Sequence, residues 1–117
     1  MAKICTTSLS VTVTGDGVSE SFTPATSPVV NTAAPAGGPV DVSLSSGDNT
    51  ITVPTGTKGF LIVPPSASAV AKKLKGAGGD TGFGLAPALP SAIMVPTGTA
   101  TIIINAASAE TVSIHWL

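Results

Sequence analysis

The sequence predicts an all-β, single-domain protein: an antiparallel β-sandwich or jelly roll, or alternatively a small β-barrel, with an extended Pro-rich arm. Short segments alternate apolar with hydroxyl side chains, which is the pattern of a strand with one buried face. Turn residues, mainly Gly, Asp, Asn and Pro, separate these segments. Because 117 residues suffice for one hydrophobic core but not for two, we expect one domain over residues 1–117.

The first two predicted strands lie near the start of the chain. Residues 7–14 alternate strictly, with Leu9, Val11 and Val13 on one side and hydroxyl residues on the other. The turn at residues 15–17 leads into a less regular strand over residues 18–23. The pattern therefore predicts a β-hairpin.

Residues 24–39 are expected to form an extended arm or a long loop. Four prolines fall in this segment, and proline lacks the amide hydrogen that a strand ladder needs. Two interpretations stay open: a partner orders the segment, or it is a solvated linker that lies against its own domain. The candidate interface residues in this arm are Pro24, Pro28, Val29, Val30, Pro35 and Pro39.

Further strands follow the arm. Residues 40–44 alternate, and a turn at 46–49 leads to a short strand at 51–53. The continuous apolar run at 60–63 predicts a strand that is covered on both faces. For residues 66–74 we expect a strand rather than a helix, because the segment lacks a capping acid and runs into glycines.

One phrase occurs twice in the chain. Residues 51–57 (ITVPTGT) recur as residues 93–99 (IMVPTGT), and an aliphatic strand follows each copy. We expect each copy to be a hairpin with the same strand, turn, strand structure, and two such hairpins indicate facing sheets. The chain then ends in a strand with Val112, Ile114 and Trp116 on one face.

Composition restricts the class of partner. Charged residues make up 9% of the chain, against roughly 25% in an ordinary soluble domain. The chain has no arginine, which supplies the planar fork for phosphate and guanine, so we expect no nucleic-acid binding. No stretch reaches the roughly 18 apolar residues of a membrane span and no export signal is recognisable, so we expect no membrane partner and synthesis in the cytoplasm.

The chemistry-bearing residues are too few to form a catalytic or cofactor site. Cys5 and His115 are the single cysteine and the single histidine, which does not suffice for a zinc site. The Gly-rich segment at 76–84 lacks the spacing of a nucleotide loop, and no serine stands in a nucleophile elbow. We therefore expect no enzyme activity, no cofactor and no small-molecule substrate.

Two motifs suggest alternatives. The tripeptide Asp80-Thr81-Gly82 matches the active triplet of aspartic proteases, but glycines stand where those enzymes need an apolar strand, so an aspartic-protease-like enzyme is a remote alternative. Lys72, Lys73 and Lys75 form a positive cluster that is a candidate contact for an acidic patch on a partner.

Several short motifs resemble small virion proteins of tailed bacteriophages: Val53-Pro54-Thr55-Gly56, Ile62-Val63-Pro64-Pro65, Leu74-Lys75-Gly76, Gly79-Asp80-Thr81-Gly82 and the closing Ile114-His115-Trp116-Leu117. The resemblance covers residues 51–90 and the last few, and it leaves out the arm. It implies a capsid decoration (cement) protein on the outer surface of the phage head, a homotrimer that bridges major capsid subunits. A minor tail or neck component, or a host-binding β module, is the alternative.

Overall fold

The computed structural model describes residues 3–7, 11–15, 17–22, 29–35 and 39–117, which contain strands and no helix. All strand pairs are antiparallel. The strands are β1 (Lys3–Thr7), β2 (Val11–Gly15), β3 (Val18–Phe22), β4 (Val29–Ala34), β5 (Val40–Leu44), β6 (Gly47–Thr52), β7 (Gly59–Val63), β8 (Lys72–Lys75), β9 (Phe83–Leu85), β10 (Ser91–Met94), β11 (Thr101–Ala106) and β12 (Glu110–Trp116).

Strands β5 to β12 form two four-stranded sheets with the connectivity of a jelly roll. The first sheet has the order β10-β7-β12-β5, and the second has the order β6-β11-β8-β9. The pairs are nested: β8 pairs with β9, β7 with β10, β6 with β11 and β5 with β12. This part of the chain is thus one long hairpin rolled into two sheets, and the prediction of an all-β sandwich or jelly roll is confirmed.

Inward-facing aliphatic side chains of both sheets build the core. The predicted apolar face of the last strand is buried, and the ring of Trp116 packs against that of Phe60 edge to face, with centroids 5.8 Å apart. Residues 60–63, which were expected to be covered on both faces, bury Phe60 and Ile62 but leave Leu61 and Val63 only half-buried. The core consists of Leu44, Val53, Phe60, Ile62, Leu74, Ile102, Ile104, Ala106, Val112, Ile114 and Trp116.

The repeated phrase gives the same turn twice. In the first turn, residues 54–57, Thr57 Oγ1 donates to Pro54 O at 2.7 Å, and Gly56 has a φ of 88°. In the second turn, residues 96–99, the corresponding distance is 2.8 Å and Gly98 has a φ of 94°. A type II turn requires a positive φ at the third of its four positions, which favours glycine there, and both turns meet this requirement.

The two copies are not hairpins, and that part of the prediction is wrong. The first turn carries the chain from β6 in the second sheet to β7 in the first sheet, and the second turn carries it from β10 back to β11. The partners across each ladder come from the other copy, because β6 pairs with β11 and β10 pairs with β7. Residues near in sequence therefore cross between the layers, while the hydrogen bonds join residues far apart.

A pseudo-twofold relation links the two sheets. Exchanging β5 to β8 with β9 to β12 in order converts the strand order of the first sheet into that of the second. The hydrogen bonds obey the same relation: Val53 N donates to Ala100 O at 2.9 Å, and the equivalent Val95 N donates to Lys58 O at 3.0 Å. Each structural feature of one half can thus be compared with its counterpart in the other.

The N-terminal strands pair with each other and not with the two large sheets. Strands β2 and β3 form the predicted hairpin, although β2 begins only at Val11. Thr7, the first residue of the predicted strand, belongs to β1, which pairs with β4, and Leu9 lies outside the described residues. Strand β4 lies inside the predicted arm, so the expectation that residues 24–39 hold no ladder is wrong for Val29–Ala34. Proline-free residues 29–34 supply the amide donors that the flanking prolines lack. Residues 23–28 and 36–38 lie outside the described residues.

Two predicted boundaries also shift. The strand expected at 66–74 is confined to Lys72–Lys75, and a turn and a loop without regular structure precede it. The turn expected at 46–49 comes earlier, because β6 already begins at Gly47. Its alternating side chains continue to Thr52, as the pattern at 51–53 partly indicated.

Candidate binding surface

The predicted positive cluster is divided by the alternation of β8. Lys72 and Leu74 point into the protein and are buried, whereas Lys73 on the opposite face is exposed. The interpretation of all three lysines as a surface for a partner is therefore wrong for Lys72, which is only 2% exposed. In a strand, successive side chains take opposite faces, and a run of similar residues does not change that.

Lys72 forms a buried ion pair with Glu110. Its ammonium also donates to Val70 O at 3.0 Å, to Ser68 Oγ at 3.2 Å and to Pro87 O at 3.3 Å. The Ser68 hydroxyl donates to the second carboxylate oxygen of Glu110. This network satisfies the ammonium fully, which a buried charge requires.

The charges around Glu110 shift its pKa. Burial alone would raise the pKa of this carboxyl, but the hydrogen bonds from Lys72 and Ser68 and the positive charge of Lys72 outweigh burial and lower it. Glu110 is therefore held in its ionised form, and the ion pair is a structural element of the β8–β12 region.

Lys75 is also engaged within the protein. Its ammonium lies 2.9 Å from Asp48 Oδ1, which also accepts a hydrogen bond from Asn105 Nδ2 at 2.6 Å. These hydrogen bonds, first that of Asn105 and then that of Lys75, lower the pKa of the Asp48 carboxyl. Lys73 is thus the one exposed member of the predicted cluster.

The predicted interface residues of the arm are spread over different environments. Val29 and Val30 lie in β4, where they pair with Thr7 and Thr6. Pro35 is half-buried directly after that strand, and Pro39 is exposed directly before β5. Pro24 and Pro28 fall outside the described residues.

The protease-like triplet lies in an exposed loop between β8 and β9. Asp80 Oδ2 accepts a hydrogen bond from Ala77 N at 2.9 Å, and Asp80 N donates to Ala77 O at 3.1 Å, so this side chain closes a local turn. Gly82 has a φ of 71°, and a Cβ there would lie 2.6 Å from Leu74 O. The conformation of this loop therefore explains both Asp80 and Gly82 of the triplet.

The remaining chemistry-bearing residues lie apart. Cys5 is in β1, and His115 is half-buried in β12 opposite Leu61, on the face away from Trp116. Within the described residues, no three His, Cys, Asp or Glu side chains lie close enough to hold a metal ion. The same residues contain no helix that is long and apolar enough to cross a membrane.

Two neighbouring edge strands of the sandwich carry no charge. Residues 81–109 contain no Lys, Arg, Asp or Glu, and they include the edge strands β9 and β10. Large apolar side chains are exposed here: Phe83 is 58% exposed, Leu89 65% and Met94 45%. We call β9, β10 and the loop 86–90 the uncharged edge. The other edge strands, β5 and β6, carry the exposed Asp41 and Asp48.

The uncharged edge was missed from the sequence, although its signal is visible there. A long stretch without charge is unusual in a soluble domain. Its alternating and aliphatic segments, however, are equally well explained as strands that belong to the core. Only the strand order identifies β9 and β10 as edge strands. The unpaired backbone groups of an edge strand can bind another chain, and exposed apolar side chains beside them favour such binding.

A groove of about 440 Å³ opens beside this edge. Phe83 forms one wall, and Pro96 and Thr99 of the second turn form another. Leu74, Val95 and Ile102 line it with further apolar surface. The second turn itself is exposed at Pro96, Thr97 and Gly98.

Comparisons with protein-family models, with curated proteins and with solved structures give no match for this chain.

Proposed function

We propose that this chain is a non-enzymatic structural protein that binds other proteins through its uncharged edge. The observation that carries this proposal is the combination of two edge strands without charge and three exposed large apolar side chains, Phe83 and Met94 on the strands and Leu89 in the loop between them. Natural sheet edges are usually protected by charges, prolines or bulges, because their free backbone groups pair readily with another chain. An edge without such protection is suited to strand addition, in which main-chain hydrogen bonds supply the affinity.

The proposed setting is the outer surface of a tailed-bacteriophage head. The short motifs that resemble small virion proteins support this setting, and jelly rolls are frequent among viral capsid domains. In this role the chain is a decoration protein, a homotrimer that bridges neighbouring major capsid subunits.

The energetics suit a decoration protein. Each edge contact is modest, but three linked domains turn the later contacts into intramolecular ones, which raises avidity by about 10² to 10⁴. A ligand that binds only the mature lattice shifts the equilibrium toward that lattice by mass action. Low net charge, −1 for the chain, leaves little repulsion against close neighbours.

Binding to capsid shells tests the proposal. Purified protein is incubated with expanded shells that lack it, from the phage that encodes the chain, and co-sedimentation is measured. We expect saturable binding, and at least about tenfold weaker binding for the double variant Phe83→Ser/Met94→Lys, because it adds a charge and removes apolar contact. The matched control is Val40→Ser on the charged side, at a residue that is 48% exposed.

Copy number separates head from tail. Quantitative mass spectrometry of purified virions is expected to give copies in the hundreds for a decoration protein. About six or twelve copies would instead support the tail or neck alternative, because those structures have that symmetry. Absence of the chain from virions would overturn the phage setting.

A further inference from the structure

The first turn is covered by a strand of the same chain. Asn31 of β4 donates from Nδ2 to Gly56 O at 2.8 Å, and this asparagine is only 3% exposed. Thr57 in the same turn is also 3% exposed. A strand that presents a side-chain amide thus binds the backbone of this turn.

The second turn has the same sequence and the same backbone but lacks such a cover. Pro96, Thr97 and Gly98 are exposed, and within the described residues no group donates a hydrogen bond to Gly98 O. Because both glycines have nearly equal positive φ, Gly98 O offers the acceptor that Gly56 O offers in the first turn.

The groove beside the second turn has an equivalent position in the first sheet, and there the side chain of Trp116 fills the space. Phe60 pairs with Trp116 across β7 and β12. In the second sheet the β11–β8 ladder ends at Ile103 with Lys75, and continuing its register by one residue places Ile102 opposite Gly76 at the equivalent position. Trp116 fills its site, whereas β8 ends at Lys75 and the following Gly76 brings no side chain. The groove is therefore a place where a large apolar side chain is missing from the chain itself.

The number of turns in each chain, compared with the number of Asn31 side chains, bears on what occupies the second turn. Each chain has two such turns and one Asn31, and that asparagine already binds the first turn. If two copies exchanged their β4 strands, each chain would still have one turn that no Asn31 binds. A second copy that exchanges β4 therefore does not satisfy the second turn, and we assign this site to a different protein.

We propose that the second turn and the adjoining groove bind an extended segment of another protein, which donates a side-chain amide to Gly98 O and places a large apolar side chain against Phe83. This inference rests on the proposed function as a protein-binding module and names the chemistry of the partner. Two charged side chains also line the groove, but Lys75 is paired with Asp48 and Asp80 accepts a hydrogen bond from Ala77 N. Because these charges already have partners within the chain, a neutral segment suits the groove.

A peptide that copies β4 provides the probe. The capped heptapeptide VVNTAAP, the sequence of residues 29–35, is titrated into the ¹⁵N-labelled full chain and followed by NMR. We expect saturable shifts at Thr97, Gly98 and Thr99, and on the order of fivefold weaker binding of the peptide VVLTAAP, which lacks the amide. Lack of saturable shifts at residues 97–99 up to several millimolar, or equal binding of both peptides, would overturn the inference.

A pair of matched variants tests the groove. The peptide VVNTAAF has phenylalanine in place of the terminal proline and is expected to bind more tightly than VVNTAAP. We expect Phe83→Ser to abolish this gain, while Val40→Ser, the counterpart on β5, leaves it intact. Equal effects of the two substitutions would contradict a role of the groove.

Failure of this inference differs from failure of the proposed function. If peptides do not bind the second turn but shells are still decorated, only the site and partner chemistry are wrong. If peptides bind as expected but shells are not decorated, the phage setting is wrong and the binding site stands.

Discussion

At the scale of single residues, the most consequential side chain is Lys72, which stands at an inward position of β8. Its side chain is 1% exposed and that of Glu110 is 8% exposed, so both charges are withdrawn from water. Such a pair adds little net stability compared with apolar residues, because desolvation offsets the attraction between the charges. Removing one partner is costly, since the other charge is then buried alone.

Glu110→Gln is therefore expected to lower the free energy of unfolding by about 3–5 kcal/mol, the usual loss when a buried pair is broken. Urea unfolding followed by circular dichroism measures the change. The double variant Lys72→Met/Glu110→Leu should recover most of this loss, because no charge is then left in the core. If Glu110→Gln proved as stable as the native chain, the ion pair would not be buried as described.

The lowered pKa of Glu110 predicts an acid dependence. Its usual value is 4.5, and the folded value lies below it, so the ion pair contributes fully above about pH 4.5 and less as the pH falls through the folded pKa. Unfolding experiments between about pH 7 and pH 3 should show that the difference between native chain and Glu110→Gln shrinks on acidification. A difference that stays constant over this range would contradict the assignment. The lowered pKa of Asp48 gives a separate loss at lower pH, which both proteins share.

At the scale of elements, the two type II turns determine how the chain passes between the sheets. Gly56→Ala and Gly98→Ala both force a side chain into the left-handed region, and we expect each to cost about 1–2 kcal/mol of unfolding free energy. Thermal unfolding measures both variants. Gly79→Ala is the control, because a Cβ there meets nothing within 4 Å and its φ is not positive. A smaller loss at Gly56 than at Gly98 would contradict this expectation, because the two glycines share a positive φ and β4 contacts only the first turn within the described residues.

Asn31→Ala tests the contact between β4 and the first turn. The substitution removes the hydrogen bond to Gly56 O and is expected to cost about 1 kcal/mol. Faster amide hydrogen exchange in β1 and β4, with unchanged exchange in β11 and β12, is the expected readout. Unchanged exchange in β1 and β4 would mean that other contacts hold this ribbon in place.

The elements show how far the sequence alone leads. Alternation correctly predicted the apolar face of β12 and the hairpin of β2 and β3, because such patterns depend on neighbours in sequence. The hairpin interpretation of the repeated phrase failed, since the same type II turn serves a hairpin or a crossover and only long-range pairing decides between them. Lys72 was misjudged for a related reason: its partners Glu110 and Pro87 are distant in the chain. The edge position of β9 and β10 likewise depends on strand order.

At the scale of the whole molecule, the jelly roll is self-contained. Each of its eight strands pairs only with other strands of the group, and the core residues all lie between Leu44 and Trp116. The N-terminal strands β1 to β4 form sheets of their own. Within the described residues, the hydrogen bond of Asn31 to the first turn connects the two parts.

A protein of residues 39–117 is therefore expected to fold. Its thermal unfolding should remain cooperative, with a loss of about 1 kcal/mol from the missing Asn31 bond, and its NMR spectrum should keep the dispersed amide signals of β5 to β12. The full chain with Asn31→Ala is the matched control, because it lacks the same hydrogen bond but keeps the N-terminal strands. A non-cooperative transition would mean that these strands complete the core. The same protein also separates the roles of the two parts in binding: if it decorates shells as well as the full chain, the uncharged edge alone supplies the contact, and residues 24–39 do not bridge capsid subunits.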